Sequence, residues 1–150
     1  METMKEPVVI LMADDDDDDF LLTEKALKAS KLLNTLVRVT DGEELVEYLL
    51  NKGRYEGVPT LRPGIILLDL NMPRKDGREA LKEIKEHDNL RDIPVVVFTT
   101  SKAEEDVYRL YQLGVNSFIT KPVTFNNLLE VMSSLGRYWF EIVELPKRGA

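Results

Sequence analysis

Val8-Val9-Ile10-Leu11-Met12, running into Ala13-Asp14-Asp15, is the stretch from which the fold is read. Its apolar residues do not alternate with polar ones. A strand apolar at every position belongs to a parallel sheet buried on both faces. Ile65-Ile66-Leu67-Leu68 and Val95-Val96-Val97-Phe98 repeat the pattern, and Leu36-Val37-Arg38-Val39 and Ser117-Phe118-Ile119 are further runs that each carry one polar residue. Helical periodicity fills the intervals. Leu22, Ala26, Ala29 and Leu33 recur at helical spacing, and Asp41 caps a second helix through Leu50 that Gly53 closes. Asp76 or Gly77 opens a third, with Ala80, Leu81 and Ile84 inside, and Ser101-Lys102-Ala103-Glu104 is a capping box for a fourth that Gly114 stops. The last helix keeps Phe125, Leu128, Leu129, Met132, Leu135, Trp139, Ile142 and Val143 on one face for about five turns. Strand and helix alternate five times, which predicts an α/β fold with a parallel sheet covered on both sides.

The chain has 150 residues, 20 basic and 27 acidic side chains, one histidine and no cysteine, for a net charge of −7. Six of the acids are consecutive, Asp14 to Asp19, and without them the balance would be −1. A chain of this length is expected to be a single domain that buries roughly 70% of its unfolded surface. Residues 136–150 finish the last helix and a short tail, so no effector domain is expected. Disulfides, thiolate chemistry and Cys-type zinc sites are excluded, as are His-cluster metal sites. The acidic balance argues against nucleic acid. No segment approaches a membrane span and Met1 to Pro7 is not a signal peptide, so a cytoplasmic protein is expected.

Ligands of an open parallel sheet bind at the carboxyl ends of its strands. The first strand runs into Asp14-Asp15, the third into Asp69, the fourth into Thr99-Thr100 and the fifth into Lys121-Pro122. Three carboxylates, one or two hydroxyls and one ammonium thus share a rim. The carboxylates repel one another, and a hard cation such as Mg²⁺ relieves them while leaving coordination positions for a phosphoryl oxygen. Asp69 can then act as a nucleophile, with Thr99 and Lys121 on the phosphoryl oxygens.

Ile10-Leu11-Met12-Ala13-Asp14-Asp15, Leu67-Leu68-Asp69-Leu70-Asn71-Met72-Pro73, Asp76-Gly77, Thr99-Thr100-Ser101 and Lys121-Pro122 stand in an order and spacing that resembles the receiver domain of two-component response regulators. The resemblance spans residues 8 to about 135. It implies a flavodoxin-like, doubly wound five-stranded sheet of order 2-1-3-4-5. It also implies Asp69 as phosphoacceptor, Mg²⁺ on Asp15, Asp69 and the Asn71 carbonyl, and Asp14 acting mainly through a bound water. Thr99 is then the switch hydroxyl, Phe118 the aromatic switch, Lys121 the phosphate-binding lysine, and Lys121-Pro122 a cis bond. The donor is a sensor histidine kinase and the output a protein contact. The insertion 51–64 and the tail from Tyr138 to Pro146 resemble the stand-alone regulators of phytochrome-like kinases. Thr100 departs from the small alanine that many receivers carry at that position.

Competing readings attach to several of these residues. A haloacid-dehalogenase-type phosphatase would use Asp14 as nucleophile, Asp16 as acid, Thr99 or Thr100, and Lys121, but Val123 to Leu128 lacks the acidic pair that family needs. An EF-hand fails because its glycine position holds Asp19 and its final glutamate position Lys25. Asp16 to Asp19 read as a cap and an acidic first turn. His87 reads as an exposed helix residue. The excess apolar face of Trp139, Phe140 and Ile142, with Val107, Tyr108 and Tyr111, reads as a homodimer contact through the fourth helix, fifth strand and last helix.

Overall fold

The computed structural model describes residues 9–29, 35–72, 74–99, 109, 111–115, 117–120 and 124–136, with Thr99, 117–120, 131 and 134–136 described through their backbone. The elements are β1 (Val9–Ala13), α1 (Asp17–Ala29), β2 (Thr35–Val39), α2 (Gly42–Leu50), a 3-10 turn (Gly53–Tyr55), β3 (Ile65–Asp69), α3 (Gly77–Glu86), β4 (Val95–Thr99), β5 (Ser117–Thr120) and a last helix (Phe125–Gly136). The strands form one five-stranded sheet of order β2-β1-β3-β4-β5, every pair parallel. The chain therefore has the doubly wound, flavodoxin-like architecture. Parallel pairs demand crossovers, and α1, α2 and α3 supply those from β1 to β4.

The unbroken apolar runs follow from a core on each side. Leu11, Ala13, Ile66, Leu68, Val95 and Val97 point to one face, against Leu45 and Val46 of α2 and Ala80, Leu81 and Ile84 of α3. Their neighbours Ile10, Met12, Ile65, Leu67, Val96 and Phe98 point to the other, against Ala26 and Leu27 of α1 and Leu128 and Met132 of the last helix. Each buried Val, Leu, Ile, Met or Phe side chain among them gains about 1.5–3 kcal/mol, so neither face tolerates a polar residue cheaply.

Helix boundaries depart from the sequence expectations at identifiable places. The inner residues of α1 are Thr23, Ala26 and Leu27, whereas Ala29 is exposed at the helix end. Thr23 is tolerated inside because its hydroxyl donates to the Asp19 carbonyl at 2.8 Å. α2 is capped by Asp41 as expected, its Oδ1 accepting from the Glu44 amide at 2.7 Å. Its end is closed by Asn51 at φ 51°, not by Gly53, which instead opens the 3-10 turn. Asn tolerates the left-handed region better than other non-glycine residues, which is how it closes a helix. Asp76 caps α3 through the Glu79 amide at 3.0 Å. His87 ends α3 half-buried rather than exposed, its Nδ1 accepting from the Asn89 amide at 3.3 Å. Phe125 stands 36% exposed at the start of the last helix, so the packed face begins at Leu128. The capping box at 101–104, Leu33 and the helix beyond Gly136 lie outside the described residues.

The insertion before β3 is fastened to α2. Tyr48 donates to the Leu61 carbonyl at 2.8 Å, Asn51 Nδ2 to the Val58 carbonyl at 2.9 Å, and Tyr55 to Glu44 Oε2 at 2.6 Å. The two tyrosine rings meet edge to face, 5.2 Å between centroids. Burial, and then the hydrogen bond to Glu44, push the Tyr55 phenol up to about 12 from 10.0. Its folded-state value is raised, so its stabilisation is complete below pH 10.0 and is lost as pH rises through about 12. Urea unfolding of wild type and Tyr55→Phe should therefore converge over that interval, with the wild type more stable at neutral pH.

Candidate functional site: a carboxylate rim

Three aspartates meet at the carboxyl end of the sheet. Asp14 follows β1 directly, and its amide donates to the Val39 carbonyl at 3.1 Å, carrying the β1–β2 ladder one residue further. Its side chain is fully buried, with Oδ1 accepting from the Asp16 amide at 2.8 Å. That local turn is one aspartate readily makes. Asp69 ends β3 and is 1% exposed, its Oδ1 accepting from the Asn71 amide at 3.0 Å. Asp15 is exposed, yet carboxylate oxygens of Asp14, Asp15 and Asp69 all lie within 4.8 Å of one another.

That proximity is costly unless it is used. Two buried carboxylates and a third at the mouth of the site repel one another in surroundings less polarisable than water. The donors are all hard oxygens, which suits a divalent cation of the Mg²⁺, Mn²⁺ or Ca²⁺ kind and not a thiophilic one. The donor set thus fits a divalent ion.

Of the residues expected here, the structure brings together Asp14, Asp15 and Asp69. Asn71 is exposed two residues beyond Asp69. Thr99 ends β4 with its backbone in register with Thr120, and Phe118 stands on β5 opposite Val97. Lys121 and Pro122, with the expected cis bond, lie outside the described residues, as does Thr100. Asp16 is occupied as a helix cap, its Oδ1 accepting from the amides of Asp18 at 2.8 Å and Asp19 at 3.3 Å. Asp17, Asp18 and Asp19 form the first turn of α1, where negative charge meets the positive end of the helix dipole.

The loop after Asp69 is shaped by a glycine. Gly77 donates its amide to the Leu70 carbonyl at 3.1 Å. A Cβ placed on Gly77 would stand 2.5 Å from the Asp69 carbonyl oxygen and 2.7 Å from Leu70 Cα. The Asp76-Gly77 pair is thus a cap followed by a clearance, and the clearance lies directly under Asp69. Sequence reasoning missed Arg38, whose Nε donates to the Asp14 carbonyl at 3.1 Å. Its only signal was a cation within an otherwise apolar strand run.

A doubly wound sheet with a carboxylate trio at the carboxyl ends of its first and third strands is the arrangement of a receiver-type signalling module. The response regulator receiver domain family matches residues 10–133, and the chain belongs to that family. It is 43% identical over 125 residues to the response regulator Rcp1 of Synechocystis sp., covering 83% of this chain and 84% of that protein. It is 34% identical over 135 residues to a probable methanogenesis regulatory protein, FilR2, of Methanothrix harundinacea, covering 90% and 85%. Among solved structures, the phosphorylated cyanobacterial phytochrome response regulator RcpA superposes with a TM-score of 0.82 at 39% identity, covering 94% of this chain and 99% of that one. The Mn²⁺-bound form of Rcp1 does so with a TM-score of 0.82 at 42% identity, covering 94% and 100%. Family membership sets aside the phosphatase reading, which the capping role of Asp16 also disfavours. Among the described residues no helix is long and apolar enough to cross a membrane.

Proposed function

We propose that the chain is a single receiver domain that accepts a phosphoryl group on Asp69 from a sensor histidine kinase, with Mg²⁺ as its cofactor. The observation that carries this reading is the trio of carboxylates within 4.8 Å, two of them buried. An Asp69 carboxylate oxygen attacks the phosphorus of the kinase phosphohistidine, the P–N bond breaks, and the imidazole leaves with the electron pair. When bound, Mg²⁺ neutralises charge on the phosphoryl oxygens and on the aspartates. Asp15, Asp69 and the Asn71 carbonyl would hold it, with Asp14 acting through a water. The Asp69 backbone stays fixed because its ladder continues through the Leu70 amide to the Phe98 carbonyl at 3.1 Å.

In this reading Lys121 pairs with one phosphoryl oxygen, and Thr99 moves inward to donate a hydrogen bond to another. Phe118 then turns into the space vacated, and the face of the fourth helix, fifth strand and last helix changes shape. A water later attacks the phosphorus with the same residues in place, the bond to the Asp69 carboxylate breaks, and inorganic phosphate leaves slowly. Similarity to RcpA, a phytochrome response regulator, supports a phytochrome-like kinase. The net charge of −7 supports output by protein contact and not by nucleic acid. Exposed Tyr111 supports a homodimer contact on that face.

Transfer from an autophosphorylated bacterial phytochrome kinase tests the reading. Label should pass from the kinase to this chain with Mg²⁺ and remain on the kinase when a chelator is present. Transfer that proceeds unchanged in chelator would contradict it.

A further inference from the structure

We propose that Arg38 is the positioning residue of the cation site, because it holds the peptide unit that joins Asp14 to Asp15. The inference rests on the reading that the carboxylate trio takes a divalent cation. Arg38 lies on β2, the edge strand, opposite Met12 of β1. Its guanidinium makes three contacts at once. Nε donates to the Asp14 carbonyl oxygen at 3.1 Å, Nη1 pairs with Asp17 at 2.7 Å, and the guanidinium carbon sits 5.0 Å above the Phe20 ring.

These contacts fix different ends of one turn. The Asp14 carbonyl belongs to the peptide plane whose next Cα carries Asp15. Holding that plane sets the angle between the two carboxylates. Asp17 and Phe20 belong to the first turns of α1, so the same side chain ties the Asp14-Asp15 turn to the helix that follows it. The Arg38 side chain is only 21% exposed, against 83% for Asp17, so protein more than water surrounds the guanidinium. A planar fork can donate to the carbonyl, pair with the carboxylate and stack on the ring together; a lysine ammonium cannot.

Charge and geometry make opposite demands here, which renders the inference testable. As a bare cation, Arg38 repels a divalent ion, so its removal would tighten metal binding. As a positioning group it orders the ligands, so its removal weakens binding. The two demands separate because Arg38→Lys keeps the charge and loses the fork, whereas Arg38→Gln loses both.

The experiment is a Mn²⁺ titration of wild type, Arg38→Gln and Arg38→Lys, reading free Mn²⁺ by electron paramagnetic resonance. Amide exchange at Asp16 is followed in the metal-free proteins, and thermal unfolding in chelator confirms that each variant is folded. Both variants should bind Mn²⁺ about 10-fold more weakly than wild type, at unchanged stoichiometry, with faster exchange at Asp16. Tighter binding by Arg38→Gln, with Arg38→Lys like wild type, would overturn the inference and leave Arg38 a bare charge. Unweakened binding by both variants would overturn it equally, with the cation site intact. A wild type that binds no Mn²⁺ would overturn the cation site, and this inference with it.

Discussion

Asp14→Asn is expected to weaken Mg²⁺ binding by roughly 30- to 1,000-fold, and at the same time to raise the melting temperature of the metal-free protein. Both effects come from one charge. Asparagine keeps an oxygen to accept the Asp16 amide that now meets Asp14 Oδ1 at 2.8 Å, so the turn survives. What disappears is one of three carboxylates within 4.8 Å of one another. A unit charge about 4 Å from another is worth about 4 kcal/mol at the effective dielectric of such a site, and more against a divalent ion, before desolvation offsets part of it. A net loss of about 2–4 kcal/mol gives the stated range. Without metal the same charge repels Asp69 and Asp15, so its removal should stabilise by about 1 kcal/mol, or about 2–4 °C. Calorimetric Mg²⁺ titration and thermal melts in chelator measure the two. Unchanged affinity would contradict the site; a lower melting temperature would show that the carboxylates do not repel.

Gly77→Ala should destabilise the fold by at least about 2 kcal/mol, a large cost for one methyl group. The added carbon would sit 2.5 Å from the Asp69 carbonyl oxygen and 2.7 Å from Leu70 Cα. Both obstacles are backbone, and neither can swing aside as a flexible side chain does. Relief requires α3 to retreat or the end of β3 to shift, and either displaces Asp69. Urea unfolding should show the loss, and the rate of phosphorylation by acetyl phosphate should fall with it. Gly57 offers a contrast, since a carbon added there meets nothing within 4 Å. Its φ of 74° leaves only backbone strain for Gly57→Ala to express.

Much of this architecture was legible because the physics that makes it is local. A strand covered on both faces has to be apolar throughout, so Ile65-Ile66-Leu67-Leu68 announced itself and its sheet type together. The acids that end such runs were legible for the same reason: a carboxylate there is expensive unless something uses it. What could not be read depends on three-dimensional neighbours. Asn51 and Gly53 are equally suited by chemistry to close α2, and only the path of the chain into the insertion selects Asn51. Phe125 has the right spacing for the inner face but stands at the helix's first turn, ahead of Leu128, where packing begins. Arg38 looked like an interruption of a strand; its purpose appears only when β2 is laid beside the turn after β1. The role of Gly77 was invisible too, since its φ is ordinary and the reason for glycine is the Asp69 backbone against it.

Asp69 as the phosphoacceptor is tested most directly by intact-mass measurement after incubation with Mg²⁺ and acetyl phosphate, on the wild type, Asp69→Asn and Asp14→Asn. The wild type should gain the mass of one phosphoryl group, and Asp69→Asn should gain none. A phosphoryl group retained by Asp69→Asn but lost from Asp14→Asn would contradict the assignment and move the nucleophile to the end of β1.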